Sequence, residues 1–122
     1  MTGKTFTHFL LLLLLLFWLG ESQLEIKPFH FSGALKTGKR TSVTCLVTDG
    51  QPPFKFTWLK DGQELSESNS VVIRLFDDYT SILALTNLGP DSNGNYTCKV
   101  SNVVGTTQYS DVLLMKSKNT IL

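Results

Sequence analysis

Beyond residue 40, apolar and polar positions alternate in short runs instead of recurring at a helical period. Residues 40–47 set Val43, Cys45 and Val47 on one side and Ser42, Thr44 and Leu46 on the other. Residues 54–60 alternate again, with Phe54, Phe56 and Trp58 together. Residues 71–75 are β-branched and apolar; placing Val71, Ile73 and Leu75 toward a core leaves Val72 facing outward beside Arg74. Residues 81–88 read as a further strand. Residues 95–100 read as another, with Tyr96, Cys98 and Val100 on one face, and residues 106–115 as the last. Turn chemistry separates these runs at intervals of about ten residues, which predicts a sandwich or barrel. The separators are Asp49-Gly-Gln-Pro-Pro53, Asp61-Gly62, Gly89-Pro90 with the polar stretch after it, and Val103-Val-Gly105. Two sheets packed face to face would bury Val43, Cys45, Phe56, Trp58, Leu83, Leu85, Leu88, Tyr96, Cys98, Leu113 and Met115.

The front of the chain breaks this pattern. A short, mildly basic start carrying Lys4 and His8 leads into the wholly apolar residues 9–19. As a helix these 11 residues reach only about 16 Å, short of the roughly 20 residues that cross a bilayer core. Gly20 and Ser22 are small residues two apart, the pattern a signal peptidase accepts. Residues 1–22 are therefore read as a secretory signal peptide, cut after Ser22, with a cut after Gly20 as second choice. Residues 23–116 then form one domain, and residues 117–122 a polar tail. No second apolar run of membrane length follows, so the product is expected to be released without a membrane span of its own.

Composition narrows the partners. The chain has 122 residues, enough for one domain of ordinary size. A formal charge of +1 provides no large field for a polyanion, which argues against nucleic acid. Its 2 cysteines cannot build a four-thiolate zinc site. In the oxidising secretory route a cysteine pair usually becomes a disulfide. A bridge between Cys45 and Cys98 would close a loop of about 50 residues, worth roughly 4 kcal/mol in the chain-entropy model.

Cys45, Trp58 and Tyr96-Thr-Cys98 together resemble the Cys…Trp…Tyr-x-Cys arrangement of the immunoglobulin fold. The resemblance implies an all-β, two-sheet Greek-key sandwich with Trp58 against the sulfur pair and Tyr96 as a tyrosine-corner residue. Trp58-Leu-Lys-Asp-Gly62, Leu83-Ala-Leu-Thr-Asn-Leu88 and Gly94-Asn-Tyr-Thr-Cys98 look like an intermediate-type (I-set) domain. Ile26-Lys-Pro-Phe29, Gly38-Lys-Arg-Thr-Ser-Val-Thr-Cys45, Pro53-Phe-Lys-Phe-Thr-Trp-Leu-Lys-Asp-Gly62 and Asp77-Asp-Tyr-Thr-Ser-Ile-Leu83 are similar to immunoglobulin domains of arthropod Down syndrome cell adhesion molecules (Dscam). One departure is local: the family motif has Asp four residues before the tyrosine, where this chain has Ser92, with Asp91 one place early. An Asp–Arg pair reaching Arg74 thereby loses its acid. Another is of scale: longer relatives string many such domains before a membrane span.

Catalytic chemistry is not expected. Beyond the leader only His30 could serve a nucleophile site, and it reads as a partly exposed residue of the first strand. Asp77-Asp78 falls short of the roughly six oxygens a hard cation takes, and reads as a charged strand connection. No Gly-rich phosphate loop is present, so neither a cofactor nor a small-molecule substrate is implied. Asn95-Tyr-Thr97 is an N-glycosylation sequon whose Asn95 has outward parity. Leu46, Ile82, Ala84 and Val72 fall on the outward face of the sheet that carries strands A, B, E and D in this fold, forming a candidate protein-contact face. The resemblance implies extracellular recognition: homophilic adhesion of Dscam type, with axon guidance and dendrite self-avoidance as its settings, or a soluble fragment acting in them. Its partners would be copies of this chain or related immunoglobulin domains. The competing function is a secreted innate-immune protein that binds microbial or heterologous protein ligands.

Overall fold

The computed structural model describes residues 23–116; the leader assigned to 1–22 and the tail at 117–122 lie outside the described residues. Among the described residues eight strands form: β1 (Glu25–Ile26), β2 (Thr41–Asp49), β3 (Lys55–Lys60), β4 (Gln63–Glu64), β5 (Val71–Asp77), β6 (Thr80–Leu85), β7 (Gly94–Ser101) and β8 (Thr106–Leu113). They build two antiparallel sheets, ordered β1-β2-β6-β5 and β4-β3-β7-β8. Successive pairs of strands alternate between the sheets, which makes the Greek-key sandwich.

Local chemistry explains the strand limits. Asp61 and Gly62 both take positive φ, 51° and 80°, the conformation of a tight hairpin turn, and so fold β4 back on β3. The strand expected over 81–88 ends at Leu85, because Asn87 turns into the left-handed region at φ 52°. Leu88 is buried all the same. The first strand is shorter than expected: β1 stops at Ile26, so His30 lies in the extended segment beyond it, exposed, with Nδ1 3.6 Å from Asp111 Oδ1. That segment is held through the Phe31 N–H, which donates to Asp111 Oδ2 at 2.9 Å.

The sheets are joined at their centre. Cys45 in β2 and Cys98 in β7 form a disulfide with Cα atoms 6.3 Å apart. Trp58 lies opposite Cys98 in register and is 2% exposed. Its Nε1–H crosses to the first sheet and donates to Ser81 Oγ at 2.9 Å. Ser81 is the register partner of Cys45, so sulfur bridge, indole and hydroxyl tie the same level of both sheets. Leu83, Leu85, Leu88, Val100 and Leu113 complete the buried shell. Phe29 joins them, its ring 5.6 Å from Trp58 and 5.0 Å from Tyr109. Two residues expected in the core, Phe56 and Met115, are only half-buried against it. Phe56 fronts an open cleft, and Met115 lies past the end of β8.

Tyr96 closes the other end. It is buried, and its hydroxyl donates to the Ser92 carbonyl at 2.7 Å. The 3-10 turn Pro90–Ser92 presents that carbonyl, and Ser92 Oγ accepts the Gly89 N–H at 3.0 Å. Burial, followed by the nearby Asp61 carboxylate, pushes the Tyr96 phenol up from 10.0 to about 12. The sign follows from linkage: the unfolded chain loses this proton first, so the stabilisation is complete below pH 10 and is lost as pH climbs to about 12. Tyr96→Phe should cost about 1 kcal/mol at neutral pH, the worth of one hydrogen bond. Its urea midpoint should also fall less than the parent's between those two pH values. An identical alkaline decline in both proteins would show that another group controls it.

Candidate functional site

The outer face of β1-β2-β6-β5 is set by register. Ala84 sits between Ser42 and Val72, and Ile82 between Thr44 and Arg74, while Leu46 pairs with Thr80. Leu46, Ile82, Ala84 and Val72 therefore share one face on three adjacent strands, and each is half-buried by its neighbours. Arg74 does not cross the sandwich. Its guanidinium pairs with Glu67 beside the sheet, and both side chains are exposed. The Ile73 N–H and then Arg74 hold the Glu67 carboxyl below its ordinary value. The Asp91 carbonyl accepts from Lys60 Nζ instead of its carboxylate reaching Arg74.

Leu75 departs from expectation. It has core parity along β5 but is 68% exposed. The β5–β6 pairing slips between Leu75 and Asp77, and the side chain lines a cleft of about 390 Å³ with Pro52, Pro53, Phe54, Phe56 and Asp78. Phe76 at 75% and Tyr79 at 42% are exposed around the same hairpin. The Phe54 and Tyr79 rings meet edge to face at 5.6 Å. Asp77 tightens the turn, its Oδ1 accepting the Tyr79 N–H at 2.8 Å. The β7–β8 connection adds Val103, 92% exposed, and Val104 at the same end of the sandwich. Asn102 Nδ2 ties that connection to the β2–β3 loop by donating to the Gln51 carbonyl at 3.0 Å. This apolar tip is the feature that alternation misses. Its signal was two breaks in the pattern: consecutive Leu75-Phe76 before an acidic pair, and paired valines inside a turn.

The second sheet carries Asn95, which is exposed and opposite Val112 in register. The Asn95 N–H donates to Asp61 Oδ1 at 2.9 Å. The Thr97 and Ser110 hydroxyl oxygens are 2.6 Å apart.

Two sheets joined by one disulfide, with a tryptophan packed between them at the same level, define an immunoglobulin domain. The chain belongs to the immunoglobulin domain family, whose model matches residues 23–102. It is 36% identical over 92 residues to the cell adhesion molecule Dscam2 of Drosophila melanogaster, and 35% identical over 91 residues to the cell adhesion molecule DSCAM of Homo sapiens. Each match covers 75% of this chain and 4% of the relative, so the likeness is to one domain of a far longer protein. Among solved structures, the Dscam1 Ig7 domain, isoform 5, superposes with a TM-score of 0.72 at 23% identity, covering 76% of this chain and 96% of that one. The eight N-terminal immunoglobulin domains of DSCAM isoform 1.30.30 match with a TM-score of 0.70 at 26% identity, covering 77% of this chain and 12% of that one. Among the described residues no helix is long and apolar enough to cross a membrane.

Proposed function

We propose that this chain is an extracellular recognition module of Dscam type, which contacts copies of itself or related immunoglobulin domains through the outer face of β1-β2-β6-β5. The observation that carries the reading is the apolar patch of Leu46, Ile82, Ala84 and Val72 on three strands of a domain 36% identical to a 92-residue stretch of an adhesion molecule. A wet sheet face ordinarily alternates to polar, so a diagonal apolar patch across three strands supports a protein contact. So few residues bury less than the roughly 1,000 Å² expected of a stable interface, so the contact of a lone domain is weak and transient. Tandem domains would multiply it by effective concentration. Catalysis plays no part in this role.

Sedimentation of the purified protein over a range of concentrations tests the reading. Leu46→Lys or Ile82→Lys should abolish concentration-dependent association while thermal unfolding stays cooperative. Phe76→Lys, at the exposed tip, should leave association intact. Association that survives both face substitutions and fails with Phe76→Lys would move the contact to the tip.

A further inference from the structure

We propose that Asn95 carries an N-linked glycan, and that this glycan covers the apolar strip of Val112 and Leu114 on the outer face of β4-β3-β7-β8. Asn95 is exposed, and its carboxamide makes no hydrogen bond among the described residues. Val112 stands directly across from it and is 53% exposed. Facing residues of antiparallel strands have Cβ atoms about 5 Å apart, so the first sugar ring attached to Asn95 lies within reach of Val112. Leu114, 68% exposed, follows beyond the buried Leu113. The C–H face of a saccharide suits such a strip, whereas bare water does not.

The structure also orders the event in time. The acceptor motif requires the Thr97 hydroxyl, yet Thr97 is 5% exposed and its hydroxyl is engaged with Ser110. The sequon is legible to a transferase only before β7 pairs with β8. Transfer forms a bond from Asn95 Nδ2 to C1 of the first sugar and breaks the C1–O bond to the diphosphate of a lipid-linked oligosaccharide. The electron pair leaves with the lipid diphosphate, the amide proton passes to base, and nothing is oxidised or reduced. The assignment rests on the leader delivering the chain to the secretory lumen. It concerns the sheet opposite the proposed contact face, so either assignment can fail alone.

The test is mass spectrometry of protein exported from glycosylating cells, made once with residues 1–22 and once with a proven secretory leader in their place. The exported protein should carry a mass at Asn95 removable by peptide N-glycosidase. Asn95→Gln should lose it and Thr97→Ser should keep it. Exported protein with a bare Asn95 behind the proven leader overturns the proposal. In vitro, oligosaccharyltransferase and lipid-linked oligosaccharide should modify the reduced, unfolded chain faster than the disulfide-closed fold by roughly tenfold or more, since paired core strands seldom open. Equal rates refute the ordering. Removing the glycan should raise apolar-dye binding in the parent but not in a Val112→Ser/Leu114→Ser variant; no rise in the parent, or the same rise in both, refutes the covering role.

Discussion

Replacing Cys45 and Cys98 together by alanine is expected to lower the unfolding free energy by roughly 4 kcal/mol. The two residues are 53 apart in sequence, and freeing that loop restores to the unfolded chain the entropy the bridge removes. Domains of this size hold only about 5–15 kcal/mol in all. At about 4–8 °C of melting temperature per kcal/mol for a domain near 100 residues, the shift should be on the order of 15–30 °C. Calorimetry of the double variant beside the oxidised and reduced parent measures it. The reduced parent should resemble the variant. A variant that melts within a few degrees of the oxidised protein would mean that the unfolded chain is already compact, so that the bridge constrains little.

Trp58→Ala should be comparably severe, at about 3–5 kcal/mol. The substitution opens a cavity beside the disulfide and strands the Ser81 hydroxyl, which is 1% exposed and accepts the indole N–H. Two smaller changes separate these causes. Trp58→Phe retains much of the ring but removes the donor, while Ser81→Ala leaves the buried indole N–H without an acceptor, at about 1–3 kcal/mol. Trp58→Phe combined with Ser81→Ala removes both polar partners, so its cost should be less than the sum of the single variants. Denaturant titrations of the four proteins give the coupling. Strict additivity would show that the 2.9 Å bond contributes nothing beyond packing.

The centre of the fold was legible because a strand repeats with period two. In β2, Val43, Cys45 and Val47 are buried while Ser42 and Thr44 are exposed, as the alternation implied. Asp61-Gly62 announced its hairpin because few other residue pairs tolerate positive φ at both positions. Phe29 carried no such signal. It follows Pro28 in a segment without strand pairing, and only its ring contacts with Trp58 and Tyr109 place it inside. The candidate contact face was legible to the level of parity. That Val72 faces Ala84 directly, while Ile82 and Leu46 continue the patch diagonally past Thr44 and Thr80, depended on register.

Leu75 shows where local pattern stops. Its parity along β5 is that of Ile73, which packs on the core, yet Leu75 opens onto a cleft beside Phe54 and Phe56. Periodicity states which way a side chain points; burial also needs a facing atom, and the opposite sheet supplies that. The amino-acid order alone therefore determined the six longer strands, their inward sides and the Asp61-Gly62 turn, since these follow from φ/ψ preferences and the two-residue pleat. The two-residue strands β1 and β4 exist only through their pairing with β2 and β3. Tertiary packing decided which inward residues are actually covered, that Ser92 presents its carbonyl to Tyr96, and that the apolar tip stands in the open. Coverage and the open tip depend on contacts between residues distant in the chain. The Tyr96–Ser92 bond, which spans only four residues, depends on the 3-10 turn that aims the carbonyl, and no two-residue repeat encodes either.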